Sequence, residues 1–123
     1  MRTLMIVTGL AASLSSPAIS ADISGSWKRG DGVAQVRISK CGKALCAVNT
    51  WINDPSGQEK VGDKLIFRVK KTSTGVLKGR AFDPQRNMDY SLKIRVGENS
   101  ASMTTEGCLM MGMVCKSMKW SRR

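Results

Sequence analysis

The chain has 123 residues, with 20 Lys and Arg against 9 Asp and Glu, a net charge of +11, and no histidine. That length holds one domain. The missing histidine removes the commonest general base and the commonest zinc ligand, and 5% aromatic content leaves few platforms for stacking nucleic-acid bases.

Arg2 precedes an apolar stretch from Leu4 to about Leu14, and the small-residue segment Ala18-Ile19-Ser20-Ala21 follows. This is the order of a cleavable secretory signal over residues 1–21, leaving residues 22–123 as a single domain. The apolar run is shorter than the roughly 20 residues a membrane-spanning helix needs, and nothing later in the chain is long and apolar enough to span.

Turn-forming clusters recur at Arg29-Gly30-Asp31-Gly32, Asn53-Asp54-Pro55-Ser56-Gly57, Gly62-Asp63, Thr72-Ser73-Thr74-Gly75, Asp83-Pro84 and Gly97-Glu98-Asn99. The segments between them alternate with period two, most clearly where Tyr90, Leu92, Ile94 and Val96 interleave with Ser91, Lys93 and Arg95. The pattern predicts strands over about 23–29, 33–41, 46–52, 63–71, 76–82, 88–97, 100–107 and 114–122. Short strands joined by tight turns form an antiparallel meander. Curling it shut removes the exposed edges, so the fold class is an all-β, eight-stranded, up-and-down barrel.

Cys41 and Cys46 sit on either side of a four-residue turn, and Cys108 and Cys115 flank a second hairpin tip. Three pairings are possible. Cross-strand neighbours are close enough to bridge, which favours the two local hairpin disulfides. An oxidising compartment suits such bonds, whereas four reduced cysteines on zinc would suit a cytosolic protein.

Gly25-Ser26-Trp27, Val36-Arg37-Ile38, Cys41-Gly42-x-x-Leu45-Cys46, Asp83-Pro84 with Tyr90, Gly107-Cys108 to Cys115, and Trp120-Ser121-Arg122 occur in that order. Together they resemble the domain of unknown function 2147 family of small exported bacterial proteins, over nearly the whole of residues 22–123. The resemblance implies a lipocalin-like barrel and a periplasmic or extracellular address. It implies no reaction. Two positions depart from the family: Ala47 stands where Gly is common, and Gln85-Arg86-Asn87-Met88-Asp89 lacks a usual Gly, a place Asn87 can fill by adopting the left-handed conformation. Gly25, Trp27 and Arg122 also look like a calycin closure, in which an arginine of the last strand packs over a tryptophan plugging one end.

No catalytic constellation stands out. With the cysteines oxidised there is no thiolate nucleophile, and the acidic residues Asp31, Asp54, Asp63, Asp83 and Glu98 fall at turns, where they bond local backbone. Asp83, Asp89 and Tyr90 form the one polar group that an enzyme reading would use. Met110, Met111 and Met113, with Met118 nearby, offer thioethers, but a methionine-rich tip is ordinarily an adaptable apolar contact rather than a Cu(I) site. No cofactor or metal is expected, and no sequence-specific nucleic-acid partner.

The expected ligand site is the barrel interior. Leu77, Gly79 and Ala81 are inward on the fifth strand, two of them small, opposite Trp51, Phe67, Tyr90 and Leu92. These either interdigitate or leave a pocket for a small apolar ligand. Outside, Arg68, Lys70, Lys78, Arg80, Lys93 and Arg95 form a basic wall if the registers match. An anionic envelope component would dock there; the ordinary explanation is a solvated face. The expected function is thus a non-enzymatic, exported, small-ligand-binding barrel, with a structural or adhesion module docking through the basic wall as the alternative.

Overall fold

The period-two segments become strands throughout, with boundaries within two residues of those expected. The computed structural model describes residues 23–123; the signal expected over residues 1–21 lies outside the described residues. The strands are β1 (Gly25–Arg29), β2 (Ala34–Cys41), β3 (Ala44–Ile52), β4 (Lys64–Ser73), β5 (Val76–Asp83), β6 (Met88–Val96), β7 (Ser102–Leu109) and β8 (Val114–Arg122). Each is antiparallel to its neighbours, and β8 returns to β1, so the barrel is closed. Short 3₁₀ turns at Glu98–Ser100 and Met110–Gly112 make the last two connections.

Turn chemistry sets the registers. Gly42 has positive φ (69°) in a two-residue turn with Lys43, so Ala44 already pairs with Cys41. The expected four-residue turn is therefore shorter, and β3 begins two residues earlier. The Cys41–Cys46 disulfide runs diagonally between strands, with Cα atoms 5.7 Å apart. Cys108 and Cys115 face each other directly in the β7–β8 ladder and form the second disulfide, Cα to Cα 4.1 Å. Asn87 takes φ of 54° in the β5–β6 turn and so fills the place of a glycine.

The two ends of the barrel differ. The end holding the start of β1 and the end of β8 is packed solid: Ile23, Trp27, Ile38, Leu77 and Ile94 are fully buried there. Leu77 and Ala81 face this core from β5. Between them Gly79 lies where β4 and β5 approach closely; a Cβ at Gly79 would stand 1.9 Å from the Arg68 carbonyl oxygen. Backbone, not a flexible side chain, occupies that space, so the glycine serves strand approach.

Gly79→Ala is therefore expected to cost about 2 kcal/mol or more, as forced overpacking does. Urea unfolding measures it, and an unchanged midpoint would show that β4 and β5 separate freely.

Candidate functional site

Gly25, Trp27 and Arg122 meet at the packed end. Trp27 pairs with Arg122 across the β1–β8 seam, and the guanidinium carbon lies 4.1 Å from the indole centroid. The indole N–H donates to the Ile23 carbonyl at 2.9 Å. Arg122 donates to the carbonyls of Ser100, at 3.0 Å, and Ser24. With the indole N–H and the described arginine bonds directed at backbone, this cluster is a plug.

The other end opens into a cavity of about 850 Å³, within the range of small-molecule sites. Its deep wall is apolar: Val36, Ile38, Ala47, Leu65, Phe67, Leu92 and Met103. Tyr90, Thr105, Gly107, Lys116, Met118 and Trp120 line the side formed by β6, β7 and β8. The Trp120 indole N–H donates to Thr105 Oγ1 at 3.0 Å. Burial, followed by the nearby Asp83 charge, pushes the Tyr90 phenol above its ordinary pKa, against a smaller opposing effect of Arg86. The phenol thus stays a proton donor at neutral pH.

The connection from Asn53 to Asp63 leans over the mouth, and two arginines latch it. Arg29 at the end of β1 grips Glu59 with a two-pronged contact, Nη1–Oε1 2.9 Å and Nη2–Oε2 2.8 Å. Arg86 in the β5–β6 turn donates to the Gln58 carbonyl at 2.9 Å and to Asp83 at 3.0 Å. Asn49, inward on β3, donates to the Lys60 carbonyl at 3.1 Å. The Arg29 hydrogen bond holds Glu59 below the usual carboxylate range, against the opposing effect of burial. For Asp83 burial is the largest single influence and acts upward. Bonds from Gln85 and Arg86 together outweigh it, and the net direction is down. Sequence reading missed this latch, because its partners are up to 30 residues apart.

Of the expected ligand residues, Phe67, Tyr90 and Leu92 line the cavity, and Trp51 does not. Trp51 is 44% exposed. The β2–β3 register slips between Gln35 and Val36, which pair with Trp51 and Asn49, so Thr50 is an extra residue on β3. That bulge reverses the alternation: Asn49 and Ile52 take the inward places, and Trp51 turns outward. Asp83 and Asp89 do not make one polar site either. Asp83 is buried and caps its own turn, accepting from Gln85 and Arg86, while Asp89 is paired on the outer face with Arg80, 2.6 Å away. Met110, Met111 and Met113 are exposed at the rim, and Met118 lines the cavity.

On the outer wall Arg68 pairs with Arg80, and Lys70 with Lys78, which in turn pairs with Lys93. Arg95 stands beside Val76 and Thr104. Glu106 opposite Lys93 and Asp89 near Arg80 relieve part of the repulsion.

The family model described as "Uncharacterized protein conserved in bacteria (DUF2147)" matches residues 25–122, and the chain belongs to this family. No functionally curated protein matches the chain. Among solved structures, a redesigned β-barrel superposes with a TM-score of 0.53 at 13% identity, over 85% of this chain and 93% of that one. At that identity the likeness concerns the fold alone. No helix among the described residues is long and apolar enough to cross a membrane, and with the two disulfides this is compatible with an extracytoplasmic protein.

Glu59 and Asp83 have folded-state pKa values below their ordinary ones of 4.5 and 3.8. Their stabilisation is complete at neutral pH and is lost as pH falls below those ordinary values and through the folded ones. Melting temperature followed from pH 7 to 3 should drop most below about pH 4. Glu59→Gln should melt lower at neutral pH and show a shallower acid decline; an identical acid profile would remove Glu59 from the latch.

Proposed function

We propose that this protein is an exported, non-enzymatic β-barrel that binds a small, largely apolar molecule in its open half. The observation supporting this reading is the cavity itself: its apolar walls at Phe67, Leu92 and Met103 lie beneath a polar rim. Proteins rarely leave such a volume unpacked without use, because interiors otherwise reach crystal-like density. The signal-like order of residues 1–21, the disulfides and the family's bacterial distribution support a periplasmic or secreted location. Asp83 and Asp89 are each engaged by arginine and diverge, which favours a binder over an enzyme.

The neutral fluorophore N-phenyl-1-naphthylamine tests it. Wild type and Trp51→Ala should bind with equal affinity, and Ala47→Phe, which fills the cavity, should lose at least tenfold, about 1.4 kcal/mol. Absence of binding by folded wild-type protein would overturn the reading.

The basic wall supports a second one, a module docking an anionic envelope surface. Like charges directly opposite on neighbouring strands cost stability, and the Lys70–Lys78–Lys93 row keeps them together. Retention on an anionic polysaccharide column should fall as salt rises and vanish with Lys78→Glu, Arg80→Glu and Arg95→Glu combined. Salt-independent retention of that variant would exclude the wall.

A further inference from the structure

We infer that the ligand is a single-chain amphiphile with an anionic head, held by Lys116 and Tyr90 in the cavity lining while its tail enters the barrel. The inference rests on the ligand-binding reading above.

Lys116 is out of pattern. On β8 the cavity-lining places of the alternation are Val114, Lys116, Met118 and Trp120. Three are apolar, and a cation in such a row is a misfit unless something uses it. The arginines lining the cavity are already matched: Arg29 by Glu59 and Asp31, Arg86 by Asp83 and Asp63. Lys64 lines the cavity too, from the first position of β4, on the alternation opposite to Leu65 and Phe67. Lys116 has no hydrogen bond or ion pair among the described residues, and its charge remains available at the mouth.

The position beside it is a glycine. Lys116 pairs with Gly107 on β7. A Cβ on Gly107 would stand 2.8 Å and 2.9 Å from Tyr90 Cε2 and Cδ2, so the tyrosine ring lies over that glycine. Gly107, lacking a side chain, leaves its place to the Tyr90 ring, and Lys116 stands beside Gly107 on the next strand. The Tyr90 hydroxyl has no partner among the described residues. An ammonium and a phenolic O–H lining one cavity suit an oxyanion, which accepts from both. Below it, Phe67, Leu92 and Met103 offer an apolar path for an alkyl chain.

The probes are a dansyl-labelled undecanoic acid and its methyl ester, titrated into oxidised wild-type protein, Lys116→Met and Tyr90→Phe. Both side chains reach solvent, so folding should persist, and circular dichroism checks it. The acid should bind wild type about tenfold more tightly than the ester. Lys116→Met should abolish that preference by weakening the acid alone, and Tyr90→Phe should reduce it. Displacement of the acid by dodecanoate or dodecyl phosphate, ahead of dodecanol, supports the assignment and identifies the preferred head. Equal displacement by dodecanol, or acid binding unchanged in Lys116→Met, overturns it and leaves the apolar-ligand reading intact. Failure of both acid and ester to bind overturns both.

Discussion

Closing the barrel depends on its shortest strand. β1 has five residues and must satisfy β2 on one side and β8 on the other. Trp27, Lys28 and Arg29 pair across the seam, and backbone bonds from Gly30 to Lys119 and from Arg123 to Ser26 extend it by one residue at each end. A sheet this long with an open edge would invite pairing with other chains. The seam is reinforced by side chains instead. Arg122 stacks on Trp27, an arrangement worth roughly 0.5–2 kcal/mol, and its remaining donors tie Ser24 and Ser100 to the same end. Gly25 is required by this packing: its φ is 121°, and a Cβ there would meet Arg122 Nη1 at 2.8 Å.

The plug determines where a ligand can go. With Trp27, Ile23, Leu77 and Ile94 filling one end, the volume left inside the sheet opens, among the described residues, at the other. The two disulfides lie at opposite ends for the same reason. Cys41–Cys46 ties the β2–β3 hairpin at the packed end, and Cys108–Cys115 ties β7 to β8 beside the mouth. The second bond matters more to the cavity, since it fixes the strands that carry Gly107 and Lys116. A small barrel with an unpacked cavity has less hydrophobic stabilisation to spare, and local cross-links make up part of the difference.

Strand order and closure were legible because the alternation and the turn residues agree with each other at every hairpin. Phe67, Tyr90 and Leu92 were legible as inward residues for the same reason. Trp51 was not. One extra residue at Thr50 reverses the parity of β3, and a bulge is settled by pairing with β2 rather than by β3's own composition. The Arg29–Glu59 latch was illegible as well, since an ion pair between distant loops leaves no local periodicity. Lys116 could have been found: the expected strand over 114–122 already placed it in line with Val114, Met118 and Trp120. Attention to apolar lining passed over the one charged member of that row.

Charge is distributed so that the two surfaces do not compete. Six of the nine acidic residues, Asp31, Asp54, Glu59, Asp63, Asp83 and Asp89, lie at the open end. They neutralise Arg29 and Arg86 at the mouth, and Asp89 offsets Arg80 on the wall, so the mouth has less net attraction for a polyanion than the wall. The excess of lysine and arginine instead follows β4, β5 and β6 and the β2–β3 turn, where Lys40 and Lys43 lie at the packed end. An extended anionic surface would therefore meet the wall or the plugged end, and the mouth would stay clear. A small anion on an alkyl chain is a different object. For it, local interactions at Lys116, not the long-range field, would decide whether it is held.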